Sequence, residues 1–355
     1  MARKSSPPKR ATLEDVARSA GVGPMTVSRT INGHPYVTEK TANKVRAAIR
    51  RLGYRPNHAA RVLTGQLSRS IGLIVPDISD TFFSVVSHAV QETARESGYL
   101  VWLAASNEDT KIESAQVEMM SHHPVDGILL VPCDSRNGYL KRLASGTTPI
   151  VTIDRPIEIG TTDSVGVENR RGARLAVEHL IQHGYKKISC IAANPHLLTI
   201  KERVAGFKEA MRCAKLPYRN ELRVSSPSSA KSGLSELFGS RNRPDALFTA
   251  NNASTIWVIE ALKELNIEMG KDVALVGFDD VDFYTLITPP VTAVRQPATE
   301  LGRMAARLLL QRINGESQSA SVRTVLPVTL TIRESCGCKE RDDPAVKSSD
   351  LQAAP

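Results

Sequence analysis

From Ser70 to about Cys338 the chain alternates short apolar runs with longer amphipathic stretches, and few folds accept that rhythm. Ile71–Val75, Leu100–Ala104, Gly127–Val131, Ile150–Ile153, Ile188–Ala192, Ala246–Thr249 and Val273–Gly277 read as buried parallel strands, because each is continuously apolar and strand-length. Phe82–Ser97, Asn169–His183, Ile200–Lys215 and Ala253–Leu265 read as helices between them. A repeated β-α alternation predicts a doubly wound α/β fold with parallel sheets. Single cores rarely exceed ~250–300 residues, so this stretch is expected to split into two lobes.

The first 70 residues follow different rules. They hold 14 lysines and arginines against 3 acids, whereas the other 285 hold 32 against 34. The whole +9 excess therefore sits in the first fifth of the chain. A basic head on a near-neutral body is the electrostatic footprint of a nucleic-acid-binding unit joined to something else. Those basic residues interleave with an apolar pattern of helical period, which a solvated basic tail would lack. Thr12 is placed to cap a helix over Leu13–Ala20, with Glu14 and Asp15 in its first turn and Gly21 at its end. Pro24 opens a second helix ending at Asn32-Gly33, with Val27 and Ile31 inward. Thr38 caps a third, whose predicted buried stripe is Val45, Ile49 and Leu52. Two short helices joined at Gly21-Val22 make a helix-turn-helix, whose second helix enters the major groove. Arg29 there suits bidentate readout of guanine, and Thr26, Ser28 and Asn32 suit phosphates. Asn57–Gly65 spans two helical turns, too short to be stable alone.

The strings T-L-E-D-V-A-R-S-A-G-V-x-x-M-T-V-S-R-T-I-N-G, V-T-E-K-T, L-G-Y-R-P-N-x-x-A-R-x-L and R-S-I-G-L-I-V-P-D resemble the lactose/galactose repressor family of bacterial transcription regulators, from Thr12 to about Cys338. The resemblance implies a homodimer on palindromic double-stranded operator DNA, one head per half-site. It also implies a hinge helix in the central minor groove, with Leu63 wedged between base pairs. Thr12, Thr26, Ser28, Asn32 and Thr38 match phosphate-contact or cap positions; Pro24, Met25 and Arg29 match base-reading positions; Tyr36 matches a DNA contact beyond the recognition helix. Asn57, Ala60, Arg61 and Leu63 fall on the hinge. Gly23 departs from the usual Ser or Thr cap, and Pro24 and Met25 bring no side-chain hydrogen bonds to bases. The implied organisation is a basic arm (1–11), a helix-turn-helix domain (12–56), a hinge (57–69), a two-lobed effector-binding and dimerisation body (70–338) and a disordered tail (339–355).

Ligands of doubly wound folds bind outside the carboxyl ends of the strands. The polar residues just after the runs are Asp77, Asp154-Arg155, Asn251-Asn252 and Asp279-Asp280, with Arg203 and Gln296 as long donors and Phe82-Phe83 as a stacking face. Such a set suits a polyhydroxylated small molecule, although each residue alone equally suits a cap or turn. The resemblance implies a body similar to periplasmic sugar-binding proteins, with three crossovers between lobes and Asp154, Arg203, Asn251, Asp279 and Gln296 at effector positions. Asp80-Thr81-Phe82-Phe83 replaces the more usual Asn-Pro-Phe-Phe, and Asn252 replaces a common Asp. A sugar is the expected effector, with a nucleobase or nucleoside as the alternative within the same class.

Other chemistry is less well provided for. Asp279 and Asp280 are the acids a sugar hydrolase would use, but adjacent carboxylates on an extended segment face opposite sides. There is no nucleophile elbow and no phosphate-binding glycine loop after a strand, so no cofactor is expected. Cys336-x-Cys338 lacks partners at zinc spacing and reads as two unpaired thiols; His122-His123 reads as loop, and Trp257 as packing. Met1–Arg10 is basic and Pro/Ser-rich with no apolar stretch behind it, unlike a secretory signal, and no run is long enough to span a membrane. A transport-type binding protein would need export. Five cysteines fit a reduced, cytoplasmic protein, and the tail lacks a leucine heptad, so a dimer is the expected assembly.

Overall fold

The computed structural model describes residues 11–31, 34–54, 67–122, 125–144, 146, 148–157, 162–217, 221–316 and 320–337. They form two separate units, divided between Ser68 and Arg69.

The first unit is three helices: α1 (Leu13–Ala20), α2 (Pro24–Ile31) and α3 (Glu39–Leu52). Thr12 and Asp15 close a reciprocal capping box at the start of α1, and Gly21 ends it at φ 66°. The core is small: Val16, Ala17, Val27, Val45 and Ala48, with Ile31 and Ile49 against it. The α3 stripe differs from expectation. Ala42, Val45 and Ala48 form it, while Leu52 is exposed, because small side chains let α3 lie close to α1 and α2. Residues 1–10 of the arm, Asn32, Gly33 and the hinge residues Asn57, Ala60, Arg61 and Leu63 lie outside the described residues, as do Cys338 and the tail.

The body is two parallel sheets. The first lobe contributes β1 (Ser70–Val75), α4 (Thr81–Glu96), β2 (Leu100–Ala105), α5 (Thr110–His122), β3 (Gly127–Leu130), α6 (Gly138–Ala144), β4 (Ile150–Ile153) and β5 (Asp163–Val167). The second contributes α7 (Asn169–Gln182), β6 (Ile188–Ala193), α8 (Leu198–Cys213), β7 (Glu221–Val224), α9 (Pro227–Gly239), β8 (Ala246–Thr249), α10 (Asn252–Glu264), β9 (Ala274–Phe278) and β10 (Thr292–Arg295). The chain then returns to the first lobe for α11 (Ala298–Ile313) and β11 (Arg323–Leu326), and ends in the second with β12 (Thr329–Thr331). The strand orders are β2-β1-β3-β4-β5-β11 and β7-β6-β8-β9-β10-β12. The two orders are the same, and the chain passes between lobes three times. One strand departs from the parallel expectation, since β12 runs antiparallel to β10.

The helices that cover the sheets approach through glycine. A Cβ on Gly206 of α8 would overlap the Arg170 carbonyl oxygen on α7, and one on Gly302 of α11 would lie 2.5 Å from the Val86 carbonyl oxygen on α4. Gly206→Ala gains about 1 kcal/mol of helix propensity but forces α7 and α8 apart. The expected net result is a loss of about 1–2 kcal/mol, read as a melting midpoint a few degrees lower by calorimetry. An unchanged or higher midpoint would show that the helices part freely.

β2 corrects another expectation. It is an edge strand, and Leu100, Trp102 and Leu103 are 72%, 53% and 40% exposed instead of buried. His122 closes helix α5 where a loop was expected, and His123 lies outside the described residues. Cys336 is fully buried, accepts a hydrogen bond from the Thr292 hydroxyl and donates to the Arg333 carbonyl, so its thiol is a packed core group. Trp257 packs against the second-lobe core, as expected. No helix among the described residues is long and apolar enough to cross a membrane.

Candidate functional site

In the first unit the turn between α1 and α2 is fixed by main-chain bonds, Val22 N–H to the Ala17 carbonyl at 3.1 Å and Thr26 N–H to the Gly23 carbonyl at 3.0 Å. Gly23 thus caps α2 with its carbonyl alone. Burying Val27 turns Pro24, Met25 and Arg29 outward, with Met25 66% exposed. Thr26 and Ser28 are half-buried beside them, and the Thr26 carbonyl accepts the Thr30 hydroxyl at 2.7 Å. Thr12 Oγ1 accepts the Asp15 N–H at 3.2 Å, and Thr38 Oγ1 accepts the Thr41 N–H at 3.4 Å, so both act as caps. Tyr36 is 83% exposed, its ring 5.3 Å from that of His34. An outward helix face carrying Arg29 and an apolar Met25 has the chemistry to read base edges.

In the body the polar residues gather where the lobes face each other. Asp154 follows β4 and Asp279 follows β9, the same position in the two lobes. Both adopt left-handed backbone, φ 65° and 75°, a conformation that costs an Asp of order 1–3 kcal/mol and persists where the surroundings impose it. In each case the Asp N–H bonds the neighbouring strand, to Val165 and Val294 respectively, which holds the strained turn.

Asp279 anchors a buried network. Its Oδ1 accepts Gln296 Nε2 at 2.5 Å; its Oδ2 accepts Arg203 Nη1 and the Asn252 main-chain N–H, each at 3.2 Å. Arg203 also donates to Asn169 Oδ1 at 2.8 Å and to the Ala250 carbonyl at 2.9 Å, and its guanidinium lies 3.7 Å above the Phe278 ring. Arg203, Asp279 and Gln296 are thus brought together, and Asn169 joins them.

Asp154 is less well served. Its Oδ2 lies 3.5 Å from Arg155 Nε, and its Oδ1 has no partner. Arg155 is taken up by a two-pronged bond to Glu108, both contacts 2.8 Å. Burial pushes the Asp154 carboxyl above the usual carboxylate range, against the pull of Arg155 and Arg203. The Gln296 Oε1 is likewise buried without a partner. Two unpaired acceptors at one interface mark a place for donors.

The remaining expected residues are placed as follows. Asn251 Oδ1 is the N-cap of α10, accepting Ser254 N–H at 3.1 Å. Phe82 is half-buried, edge-on to Phe83. Asp77 makes an Asx turn with Ser79. Asp280 is held by Arg295 and Arg333, away from Asp279. The two positions where the chain departs from the family pattern meet, Asn252 Nδ2 donating to Asp80 Oδ2 at 3.1 Å.

A cavity of about 300 Å³ opens between the lobes, lined by Asp154, Asn169, Thr199, Glu202, Gly166 and Arg323 among others. Of the six expected effector residues, Asp154 alone lines it, and Arg203, Asp279 and Gln296 form a network beyond it. Asn169, Thr199, Glu202 and Arg323 were not expected. Asn169 follows β5, a strand whose Asp163, Ser164 and Gly166 hide the apolar signal.

Residues 12–57 match the family of bacterial regulatory proteins of the lacI type, and residues 177–336 match a periplasmic binding protein-like domain. The HTH-type transcriptional repressor PurR of Photobacterium profundum is 30% identical over 92% of this chain and 98% of its own. The Lac repressor dimer bound to operator and the anti-inducer ONPF is 26% identical, covering 92% of this chain and 99% of its own, with a TM-score of 0.83. The transcriptional regulator CelR in complex with cellobiose is 30% identical, covering 92% and 100%, with a TM-score of 0.69. A helix-turn-helix head, two lobes of the same strand order and these relatives lead to one conclusion: the chain is a DNA-binding transcriptional regulator of the LacI family.

Proposed function

We propose that the protein is a cytoplasmic repressor that binds a palindromic operator as a homodimer and releases or tightens on it when a sugar enters the inter-lobe cleft. The observation that carries the effector half is the buried, unpartnered Asp154 Oδ1 on the wall of the inter-lobe cavity. A buried acceptor without a donor costs about 1–3 kcal/mol, so the cleft is built for a ligand that brings hydroxyl or amine protons. Arg155 and Arg203 are already paired to Glu108 and Asp279, so neither guanidinium is free to take an anionic ligand group. The relative solved with cellobiose supports a sugar.

In the head, Pro24, Met25 and Arg29 read bases, Thr26 and Ser28 hold phosphates, Thr12 and Thr38 present capped helix ends, and Tyr36 reaches a flanking contact. Asn32 and the hinge residues Asn57, Ala60, Arg61 and Leu63 complete the operator surface in this reading. The Lac repressor relative, solved as a dimer on operator, supports the assembly. The exposed apolar edge of Leu100, Trp102 and Leu103 is a surface a second copy would cover.

A thermal-shift panel of neutral sugars, sugar phosphates and nucleobases tests the effector assignment. A ligand at ~100 times its Kd adds about 2.7 kcal/mol, so a neutral sugar is expected to raise the body's melting midpoint by several degrees. A shift from nucleobases alone would replace the sugar, with the Phe82 ring as the stacking face.

Asp154→Asn tests the same site without ligand. A carboxyl whose folded pKa is raised contributes stability below its unfolded pKa and loses it as pH rises through the folded value. The neutral amide escapes that loss. The variant is expected to melt about 2–4 °C above the parent at pH 7, with the gain vanishing toward pH 4, and to lose its response to the sugar. A variant less stable than the parent at pH 7 would make Asp154 a structural acid.

A further inference from the structure

Asp80 and Asn252 stand 172 positions apart, on different sheets, each at the N-terminus of a helix that faces the other lobe. Asp80 is the N-cap of α4, and its Oδ1 accepts the Phe82 N–H at 2.8 Å. That bond fixes the carboxylate and aims Oδ2 across the cleft, where Asn252 Nδ2 meets it at 3.1 Å. Asn252 is equally fixed. Its Oδ1 accepts the Ala253 N–H at 2.7 Å, and its own main-chain N–H donates to Asp279 Oδ2 at 3.2 Å. One residue therefore ties a first-lobe carboxylate to the carboxylate that organises the second-lobe network.

We propose that the Asp80–Asn252 pair is the latch that holds the two lobes together, and that it positions Asp279 according to whether the lobes are closed. The polarity of the pair is what makes it work. Among the described residues Asp80 has no cation beside it, and Asp279 faces it as a like charge. The Asn252 side-chain amide answers the first carboxylate and its main-chain N–H the second, so parting the lobes strands Asp80 and loosens one of the donors on Asp279. The latch itself needs no ligand; its link to effector response rests on the proposed cleft assignment.

The test is a charge-swap cycle on the intact protein without ligand: Asn252→Asp, Asp80→Asn and the double swap. The readouts are amide hydrogen exchange and the melting midpoint. Asn252→Asp sets a carboxylate against Asp80 and is expected to lower the midpoint by about 4 °C or more and to speed exchange in the first turn of α4, on the lobe opposite the mutation. The double swap, with the amide now on α4 and the carboxylate on α10, is expected to restore most of both. Asn252→Ala removes the link without adding charge and shows the same α4 effect, which keeps the test open should Asn252→Asp fail to fold. Faster exchange confined to α10, or a double swap no better than Asn252→Asp, would overturn the latch. Failure of every sugar in the thermal-shift panel would remove the effector assignment and leave this result standing.

Discussion

Asp279→Ala is expected to be the most damaging single change in the body, lowering its stability by about 3–5 kcal/mol. The reason is what the carboxylate leaves behind. Arg203 is 3% exposed and would stay buried as a cation that has lost its directly bonded carboxylate, keeping Asn169 Oδ1, the Ala250 carbonyl and the Phe278 ring. Removing one partner of a buried pair costs far more than the pair is worth, because the other charge is stranded. Gln296 Nε2 and the Asn252 N–H lose their acceptor in the same step. Asp279→Asn keeps one acceptor oxygen and is expected to be milder. Calorimetry of the three proteins gives the ranking: parent, then Asn, then Ala, with the Ala midpoint roughly 10 °C down. An Ala variant melting within a degree of the parent would show that Arg203 finds another partner or water. The network also changes what loss of effector response at this position means. Asp279 is held by three protein donors, so in the proposed reading its part in effector response is to orient Arg203 and Gln296.

Arg29→Ala is expected to weaken specific DNA binding by about 1–3 kcal/mol, roughly 5- to 150-fold, while leaving the head folded. Arg29 is exposed on α2, on the side away from the buried Val27. In the proposed reading that guanidinium pairs with guanine O6 and N7, and its loss is expected to relax preference at one base pair per half-site. The neighbours Pro24 and Met25 offer apolar contact and shape, so Arg29 carries the hydrogen-bonded part of the readout. Selection of binding sites from random DNA with parent and variant decides the point. The same consensus at the same affinity would move the reading surface elsewhere.

The head was legible because its signals are local. Capping residues, Pro24 at the start of α2 and Gly21 and Gly53 at helix ends act within a few residues, and all three helices fall where they were expected. The strands were legible only where burial makes them continuously apolar. In β5, Ser164 and Gly166 line the cavity and Asp163 is held by Arg312 of α11, and that is where the apolar signal fails. β2 shows the converse: an apolar run says that a strand is covered, and among the described residues no strand pairs with the outer edge of β2. In the cleft, the residue types were readable and their partners were not. Nothing local to Asn251 distinguishes a helix cap from a ligand contact, and the cap is what the structure shows. The contact between Asp80 and Asn252 depends on how two lobes meet, which no window of the sequence contains.

In the proposed function, a sequence-specific DNA-binding head answers to a small molecule in the cleft between the lobes. The most direct measurement is an anisotropy titration of the intact protein on the sequence enriched from random DNA, with and without the compound that raises the body's melting midpoint. The expected result is a two-fold symmetric sequence bound at least ~10³-fold more tightly than scrambled DNA, with affinity falling steeply as salt rises and shifting when the compound is added. Equal affinity for the enriched and scrambled sequences, or an operator affinity that the compound leaves unmoved, would contradict it.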